Sequence, residues 1–435
     1  MWLFRIPIPR AFLLGSFFWG SQFLLAGEPP SGSASIVFRP RVVYTGSVVT
    51  ARFVPADGST LPRFFHETER LHGTNLAIRW EANGGLLLYD DLPEIEWRTP
   101  AKKGQYALKA ELTRGAEVVE AELQVSVRSP SVEDMVRVPA GTFMRGDRRG
   151  TKDTSEFKSI QNSGDEPAHS AYLNSFWIDR YPVTNQKYKE FLQDALQQGM
   201  LRIEEIAVMG EFENSWVPFY YFQSFERLIR NYYDTRNARK PYFAHVISSD
   251  GTRFEIEPGK ENHPVVDVSW FGAAAYARFY GKRLPTEAQW EKAARGPHGY
   301  RYPWGNHLPT AYHGPLNFYF GQELTPVGFY SPLGDSPYGA ADMLGGCWEW
   351  TRTWFQPRHY RDYSGDGLLW NPRGPFWGRS HGIRGPPSEV SFPPYIDDLE
   401  PVSTRYSWRF EFLIGDSFAN RETGFRTALE RHDND

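Results

Sequence analysis

Glycine and proline interrupt this chain throughout, with 39 glycines and 33 prolines among 435 residues, or about one residue in six. In average proteins these two residues together make up roughly 12%. Because both residues break helices and strands, the composition argues against long regular elements and favours a loop-rich fold. Hydrophobic residues still make up 40% of the chain, and 31 Phe, 23 Tyr and 15 Trp supply much of that fraction. The sequence therefore predicts a globular protein of two or three domains with aromatic cores, and not a helical bundle.

Residues 36–128 consist of short runs in which polar and apolar residues alternate, separated by Gly, Pro and Asp turns. Alternation with a period of two is typical of strands that have one buried face. Seven such runs predict a small all-β sandwich that resembles immunoglobulin-like modules, with Trp80 or Trp97 filling its core. Residues 129–134 read as the linker that follows it.

Three amphipathic segments further along the chain predict helices. The first follows Thr184, a good N-cap, and ends at Gly199. The second runs from about Trp270 to Tyr280, and the third begins at the capping box Thr286–Gln289 and stops at Gly296.

The long connection between the first two predicted helices, residues 200–260, is rich in aromatic residues. Aromatic side chains are mostly buried, which favours packing of this connection into the core. The alternative is that its rings are exposed and form a recognition surface.

The first 26 residues have the features of a secretory signal peptide. Arg5 and Arg10 are their only charges, and an apolar run over residues 11–26 follows. This run is short for a membrane span, which needs about 20 residues. We therefore expect cleavage after the run, a spacer at 27–35, no membrane span in the mature chain, and a periplasmic or secreted location. An uncleaved N-terminal anchor is the alternative.

Charge and cysteine content exclude several classes of function. The net charge is −4 with nearly balanced signs, so no basic stripe predicts binding to nucleic acid. Cys347 is the single cysteine of the chain, which rules out an intramolecular disulfide and a cysteine-rich metal site. We expect Cys347 to be a buried, small hydrophobic residue.

A series of sequence motifs, called strings below, follows in a fixed order in the second part of the chain. They are MVRVPAGTFMRGD (135–147), DEPAHSAYLNSFWIDRYPVTNQKYKEF (165–191), HPVVDVSWFGAAAYARFYGKRLPTEAQWEKAARG (263–296), YRYPWGN (300–306), SPYGAADMLGGCWEWTRTWF (336–355), NPRGP (371–375), GIRGPP (382–387) and TGFRTAL (423–429). This series resembles the formylglycine-generating enzyme, or sulfatase-modifying factor, family over residues 135–430, and leaves 431–435 as a polar tail. The resemblance implies an irregular α+β fold, a variant of the C-type-lectin fold with helices around a small twisted sheet.

Many residues of these strings are expected to hold the fold together. Glu291 and Arg295 can pair at i,i+4 on the third helix. Buried charges must be compensated, so a second group is expected to form pairs that support loops. That group is Arg283, Asp342, Glu349 and Arg426.

The resemblance also implies a chemistry that this sequence cannot supply. The family's oxidases bind copper through two cysteines, five residues apart, and use oxygen to turn a sulfatase cysteine into formylglycine. Aligning Arg405-Tyr406 with the family's Arg-Tyr pair puts Ser403 at one cysteine position and Asp398, in a longer loop, at the other. A hydroxyl and a carboxylate are hard ligands, whereas Cu(I) prefers soft thiolates. Neither copper nor formylglycine formation is therefore expected.

The family's calcium sites use Asn side chains and loop carbonyl groups. Asn317 in the string PLNFYF matches one such ligand, while Gly346 stands where another site has an oxygen-bearing side chain. The resemblance therefore leaves room for one calcium site and argues against a second.

Three hypotheses for function follow. The first is a binding or scaffolding module for a protein or glycan ligand at the cell surface or in the periplasm. The second is an enzyme with different chemistry near Ser403, with Asp397, Asp398 or Glu400 as base and no histidine nearby in sequence. Its pocket would be lined by Arg405, Tyr406, Trp408 and Arg409. The third is sulfatase maturation by an unfamiliar mechanism.

Overall fold

The structure is a computed structural model that describes thirteen stretches of the chain. They are residues 34–56, 61, 76–88, 92–146, 167–213, 215–222, 246–307, 324–356, 359–362, 367–385, 405–406, 415–417 and 423–430.

The N-terminal part forms two four-stranded sheets. Its strands are β1 (Ser35–Arg39), β2 (Val43–Tyr44), β3 (Val48–Val54), β4 (Leu76–Ala82), β5 (Leu86–Leu88), β6 (Glu94–Arg98), β7 (Gly104–Arg114) and β8 (Glu117–Arg128). The first sheet has the order β1-β3-β6-β5 and the second the order β2-β8-β7-β4. The sequence predicts seven runs, and the described residues of this part form eight strands because one run is divided by a turn at Gly46, whose φ is 66°. The short strand before that turn, β2, pairs in parallel with β8 and is too brief to show alternation.

Both tryptophans proposed for the sandwich core are buried. Trp80 stands in the second sheet and Trp97 in the first, with 2% and 0% of their surfaces exposed. Each indole also satisfies its N–H group, since Trp80 donates to the carbonyl of Leu92 and Trp97 to that of Gly84, at 2.8 and 2.9 Å. The two rings belong to neighbouring apolar clusters, so each sheet contributes its own core ring.

The second part of the chain combines short strands with short helices. The strands are β9 (Met135–Val138), β10 (Gly141–Arg145), β11 (His169–Leu173), β12 (Phe176–Asp179), β13 (Leu201–Ile203), β14 (Ala207–Phe212), β15 (Ser215–Tyr221), β16 (Ile247–Ser249), β17 (Phe254–Ile256), β18 (Trp348–Trp354), β19 (Leu369–Trp370), β20 (His381–Arg384), β21 (Arg405–Tyr406), β22 (Thr423–Gly424) and β23 (Ala428–Leu429). The helices are α1 (Asn185–Gln197), α2 (Trp270–Phe279), α3 (Glu287–Arg295) and α4 (His359–Asp362), with a 3-10 helix at Gly415–Ser417. This part is α+β, as the sequence predicts.

Small sheets replace one large sheet in this part. They have the orders β10-β11-β19, β23-β12-β9, β13-β14-β15, β16-β17 and β21-β20-β18-β22. In the last of these, β20 lies between β18 and β21 and is antiparallel to both.

The three predicted helices are confirmed, together with their caps. Thr184 and Ser269 each accept a hydrogen bond from the first turn of α1 and α2, at 3.3 and 3.0 Å. Thr286 and Gln289 form the reciprocal capping box at the start of α3, and Gly296 ends that helix with φ at 69°. No helix in the described ranges is long and apolar enough to cross a membrane.

The connection between α1 and α2 packs mainly into the core. Its strands β13, β14 and β15 form a sheet, and Phe212, Phe219 and Tyr220 are buried in the cluster that also contains residues of α1 and α2. Trp216 differs, with 40% of its surface exposed. The core interpretation therefore holds for most of the described rings, while residues 223–245 lie outside the described part.

Candidate functional site

Glu349 and Arg426 form the first of two buried ion clusters that hold the sheet β21-β20-β18-β22 in place. Nε and Nη2 of Arg426 donate to the two carboxylate oxygens of Glu349 at 2.6 and 2.7 Å. Both side chains are fully buried, and Arg426 also donates to the carbonyl groups of Asp179, Arg180 and Ala341. Two members of the predicted group of paired charges, Glu349 and Arg426, therefore pair with each other.

Asp342 supports a loop close to this pair. Its carboxylate accepts a hydrogen bond from the backbone N–H of Gly328 at 2.7 Å. Burial raises the pKa of Asp342 to about 6, against the lowering effect of that hydrogen bond and of Arg426. Asp342 therefore has a structural role in the loop, consistent with the prediction for its group.

The second ion cluster surrounds Glu291 of α3. Its carboxylate accepts hydrogen bonds from Arg295 Nη1 at 2.7 Å, from Tyr360 at 3.0 Å and from Arg384 Nη2. Burial alone would raise the pKa of Glu291, but the guanidinium groups of Arg384, Arg295 and Arg145 outweigh it and hold the pKa at about 2. The predicted pair of Glu291 and Arg295 is confirmed, and Arg384 extends it to strand β20.

His381, at the start of β20, forms a pair with Asp416 of the 3-10 helix. Nδ1 of the imidazole lies 2.8 Å from Oδ2 of Asp416, and the backbone N–H of His381 donates to Oδ1 at 2.8 Å. The two side chains keep 5% and 8% of their surfaces exposed. Tyr221 of β15 fixes the 3-10 helix by donating to the carbonyl of Ser417 at 2.8 Å. Both carboxylate oxygens of Asp416 therefore contact the same histidine.

Two indole rings enclose the imidazole of His381. Trp270 stacks on one side with ring centroids 3.8 Å apart and planes 6° from parallel, and Trp354 stacks at 3.8 Å and 27°. Trp270 is itself held by a hydrogen bond from its Nε1 to the carbonyl of Thr351 at 2.9 Å. The result is a histidine with a fixed ring plane and a fixed carboxylate partner.

Most of the pocket predicted from sequence lies outside the described residues. This applies to Ser403, Asp398, Trp408, Arg409 and Asn317, for which the predictions stand as they are. The backbone of Arg405 and Tyr406 is described and forms β21, which pairs with Arg384 and Ile383 of β20. The structure therefore brings His381, on the same strand as Arg384, to the sheet that carries the Arg-Tyr pair.

Cys347 has the environment predicted for it. It lies just before β18 with 1% of its surface exposed, and burial raises the pKa of its thiol. A buried thiol of this kind resists the loss of its proton, whereas metal binding requires the thiolate. The single thiol of the chain therefore does not fit the two-thiolate copper site that the family resemblance implies.

Within the described residues, no group of three or more His, Cys, Asp or Glu side chains could hold a metal ion. The calcium site suggested through Asn317 remains a prediction.

An exposed aromatic segment at residues 367–380 leads directly into β20 and lies against the end of β18. Trp370, Phe376 and Trp377 have 66%, 98% and 71% of their surfaces exposed. The segment is anchored by a hydrogen bond from Gln356 Nε2 to the carbonyl of Trp377 at 2.9 Å, and by Trp370 packing against Tyr172 with ring centroids 4.3 Å apart. Such a concentration of exposed rings is uncommon on a protein surface and typical of a recognition site.

Sequence reasoning missed His381 and Asp416. His381 directly precedes the string GIRGPP, so its position beside a family string was the available signal. Nothing in the spacing indicates Asp416, because the contact between the two depends on how the 3-10 helix packs against the end of β20.

Comparisons with known proteins agree with this architecture. The model of the sulfatase-modifying factor enzyme 1-like domain matches residues 120–433. This chain therefore belongs to that family, and its second part has the family's α+β fold.

Relatives of the chain include several proteins with different names. The formylglycine-generating enzyme of Streptomyces coelicolor is 32% identical over 60% of this chain and 80% of that protein. Hercynine oxygenase of Mycolicibacterium smegmatis is 35% identical over 53% of this chain and 49% of that protein. The serine/threonine-protein kinase pkn1 of Chlamydia caviae is 32% identical over 61% of this chain, and the match spans 35% of that protein's length. Enzymes thus occur within the family.

Among solved structures, CarF is 17% identical to this chain. The match covers 69% of this chain and 98% of the CarF chain, with a TM-score of 0.39. The variable protein 1 of Treponema denticola is also 17% identical, over 74% of this chain and 99% of its own, with a TM-score of 0.36.

Proposed function

We propose that this chain is a family member without formylglycine-generating oxidase activity that serves as a ligand-binding module outside the cytoplasm. The absence of oxidase activity is supported by the environment of Cys347, the single thiol in the whole sequence. It is buried and its pKa is raised, so it favours neither thiolate formation nor the binding of Cu(I).

A conversion assay tests the missing activity. Purified chain loaded with copper is mixed with a peptide that carries the sulfatase motif Cys-x-Pro-x-Arg, and the product mass is recorded beside the Streptomyces coelicolor enzyme as positive control. We expect the peptide to stay unchanged. Formylglycine in the product would overturn the proposal and support sulfatase maturation by an unfamiliar mechanism.

The exposed aromatic segment supports the binding role. Exposed indole and phenyl rings offer large apolar faces at low entropic cost, which suits stacking on sugar rings or packing in a protein interface. Arg373 and Arg379 lie on the same segment and can add hydrogen bonds at its edges. The ligand class therefore remains a glycan or a protein.

Matched variants test this surface. Trp377→Ala is compared with Trp216→Ala, since Trp216 is also exposed but belongs to a different element, β15. Binding of the full chain to an immobilised glycan panel and to extracts of surface proteins is measured for both. We expect Trp377→Ala alone to lose at least tenfold in affinity, because interface aromatic residues contribute about 2 kcal/mol or more. Equal binding by both variants would contradict a role for the segment.

The extracytoplasmic location rests on the N-terminal sequence. Residues 1–35 fused to alkaline phosphatase, which is active only after export, provide the test. We expect activity, and an inactive fusion made in normal amounts would contradict export.

A further inference from the structure

The exposed aromatic segment, residues 367–380, alternates aromatic rings with positive charges. Trp370 is followed after three residues by Arg373, which lies three residues before Phe376, and Arg379 comes two residues after Trp377. All five side chains are exposed. Residues 367–380 contain no Asp or Glu, and neither guanidinium group forms an ion pair within the described ranges. The segment is therefore positively charged, although the chain as a whole has a net charge of −4.

The backbone that carries these side chains is held in place at two points. The N–H group of Asn371 donates to the carbonyl of Tyr172, and its Oδ1 accepts from the N–H group of Asn174, both at 2.8 Å. The carbonyl of Trp377 accepts from Nε2 of Gln356 at 2.9 Å. A ligand that binds here does not have to order this backbone first, which lowers the entropic cost of binding.

The exposed polar side chains of the segment are hydrogen-bond donors. Guanidinium and indole N–H groups only donate, and the side-chain oxygen of Asn371 is already used on Asn174. A neutral sugar has hydroxyl groups that both donate and accept, so its donors would find no side-chain acceptor here. A carboxylate or sulfate group only accepts, and guanidinium groups bind such oxyanions through two hydrogen bonds at once. The side chains therefore favour an anionic ligand.

The area of the exposed rings favours a carbohydrate over a protein. Trp370, Phe376 and Trp377 expose about 500 Å² together, since an aromatic side chain can bury roughly 150–250 Å². A standard protein interface needs about 800 Å² on each partner. Trp370 packs against Tyr172 and still keeps 66% of its surface exposed, as a platform for a stacked sugar ring requires.

We propose that the exposed aromatic segment binds an anionic polysaccharide. Sugar rings stack on Trp370 and Trp377, while their carboxylate or sulfate groups accept hydrogen bonds from Arg373 and Arg379. The alternation of rings and charges along the segment matches a polymer in which every repeating unit has both an apolar ring face and an anionic group. This inference rests on the binding role proposed above and names the class of its ligand.

The first test measures the binding of three polymers to the full chain by isothermal titration calorimetry. Polygalacturonate carries carboxylates, dextran sulfate carries sulfates, and unmodified dextran is the neutral control. We expect binding at least tenfold tighter to one or both anionic polymers than to dextran. A preference for polygalacturonate identifies carboxylate as the recognised group, and a preference for dextran sulfate identifies sulfate. If neither anionic polymer binds more tightly than dextran, the inference is wrong.

Matched charge variants separate recognition by the segment from general attraction of a polyanion. Arg373→Gln combined with Arg379→Gln is expected to weaken binding of the preferred polymer at least tenfold, because the charge-assisted hydrogen bonds are lost. Arg79→Gln combined with Arg98→Gln removes the same two charges from exposed positions of the sandwich, and should bind like the wild type. Equal binding by the two double variants would overturn the inference.

Tryptophan variants distinguish a failure of this inference from a failure of the binding role. We expect Trp377→Ala, but not the control Trp216→Ala, to weaken binding of the anionic polymer at least tenfold. If Trp377→Ala impairs binding only to dextran or to a purified surface protein, the inference is overturned and the binding role stands. If the two variants bind every ligand equally, the binding role itself fails and the inference fails with it.

Discussion

The N-terminal sandwich and the second part of the chain bury different kinds of side chain. Among the described residues of the sandwich, Thr99 is the one buried polar side chain. The second part buries many charged residues with at most 5% of their surfaces exposed. They are Arg145, Glu287, Glu291, Lys292, Arg295, Glu349, Arg384 and Arg426.

The difference reflects how each region provides hydrogen-bond partners for its backbone N–H and C=O groups. The sandwich has long ladders, such as the eleven residue pairs between β7 and β8, that pair N–H and C=O groups directly. In the second part, loops leave carbonyl groups without such partners, and buried cations supply the donors. Arg426 serves three carbonyls, Arg295 serves those of Gly146, Gly299 and Tyr300, and Lys292 serves two. Buried charges therefore replace regular sheet in this region.

Removing one of these buried cations should have the largest effect on the stability of the second part. Arg426→Met leaves Glu349 as an uncompensated buried charge and three carbonyl groups without a donor. We expect the second part to lose about 3–5 kcal/mol in its free energy of unfolding, the usual cost of breaking a buried ion pair. Urea unfolding of the full chain measures this effect.

The control for this variant is Arg79→Met in the sandwich, where the pair of Arg79 and Glu81 is exposed. An exposed pair contributes about 0–1 kcal/mol, so the control should unfold like the wild type. If the free energy of unfolding of Arg426→Met also stayed within 1 kcal/mol of the wild-type value, the buried cations would not stabilise the second part as described.

Acid should weaken the second part more than the sandwich. The pKa of Glu291 is about 2 in the folded chain, below its ordinary value of 4.5. A depressed carboxyl pKa stabilises the fold above pH 4.5, and this contribution is lost as the pH falls towards 2. Because one pKa unit corresponds to about 1.4 kcal/mol, the loss approaches about 3 kcal/mol.

Fluorescence and circular dichroism of the full chain between pH 5 and pH 2 would follow this loss, with Glu291→Gln as the variant that should flatten the profile. A wild-type profile that Glu291→Gln reproduces would contradict the role of this carboxylate. The contribution of Asp342 to stability changes with pH in the opposite direction. Its folded pKa of about 6 makes the protonated form more stable in the fold, so its contribution is lost as the pH rises through 6.

A smaller effect is expected from the sandwich core. Trp97→Phe removes the hydrogen bond to the carbonyl of Gly84 and leaves a small cavity. We expect a loss of about 1–3 kcal/mol, confined to the sandwich transition. Hydrogen exchange resolved by region distinguishes the two parts, and equal deprotection of β18 and β20 would show that the regions unfold as one unit.

The sequence predicted the regular elements well and the contacts between them poorly. Alternation identified the sandwich strands, and cap residues such as Thr184 and Thr286 located the helices, because these signals are local. The pair of Glu291 and Arg295 could also be predicted, since it lies within one helical turn. The link from Arg384 to Glu291 could not, because it depends on how β20 packs against α3.

The candidate site shows the same limit. The absence of the second thiol is a property of the sequence and needed no structure. The stacking of His381 between Trp270 and Trp354 joins α2, β20 and β18, and the carboxylate of Asp416 comes from a fourth element. Such a site is assembled by tertiary packing, so no spacing along the chain reveals it.

We propose that this family member has no thiolate copper site, and a competition for Cu(I) tests this proposal. The purified chain and its Cys347→Ala variant are titrated against the chromogenic chelator bicinchoninate, and the absorbance of the chelator complex is followed. We predict that the two proteins give the same curve, because the buried thiol takes no part. A wild-type chain that withdraws one Cu(I) from the chelator, with the capacity lost in Cys347→Ala, would contradict the claim.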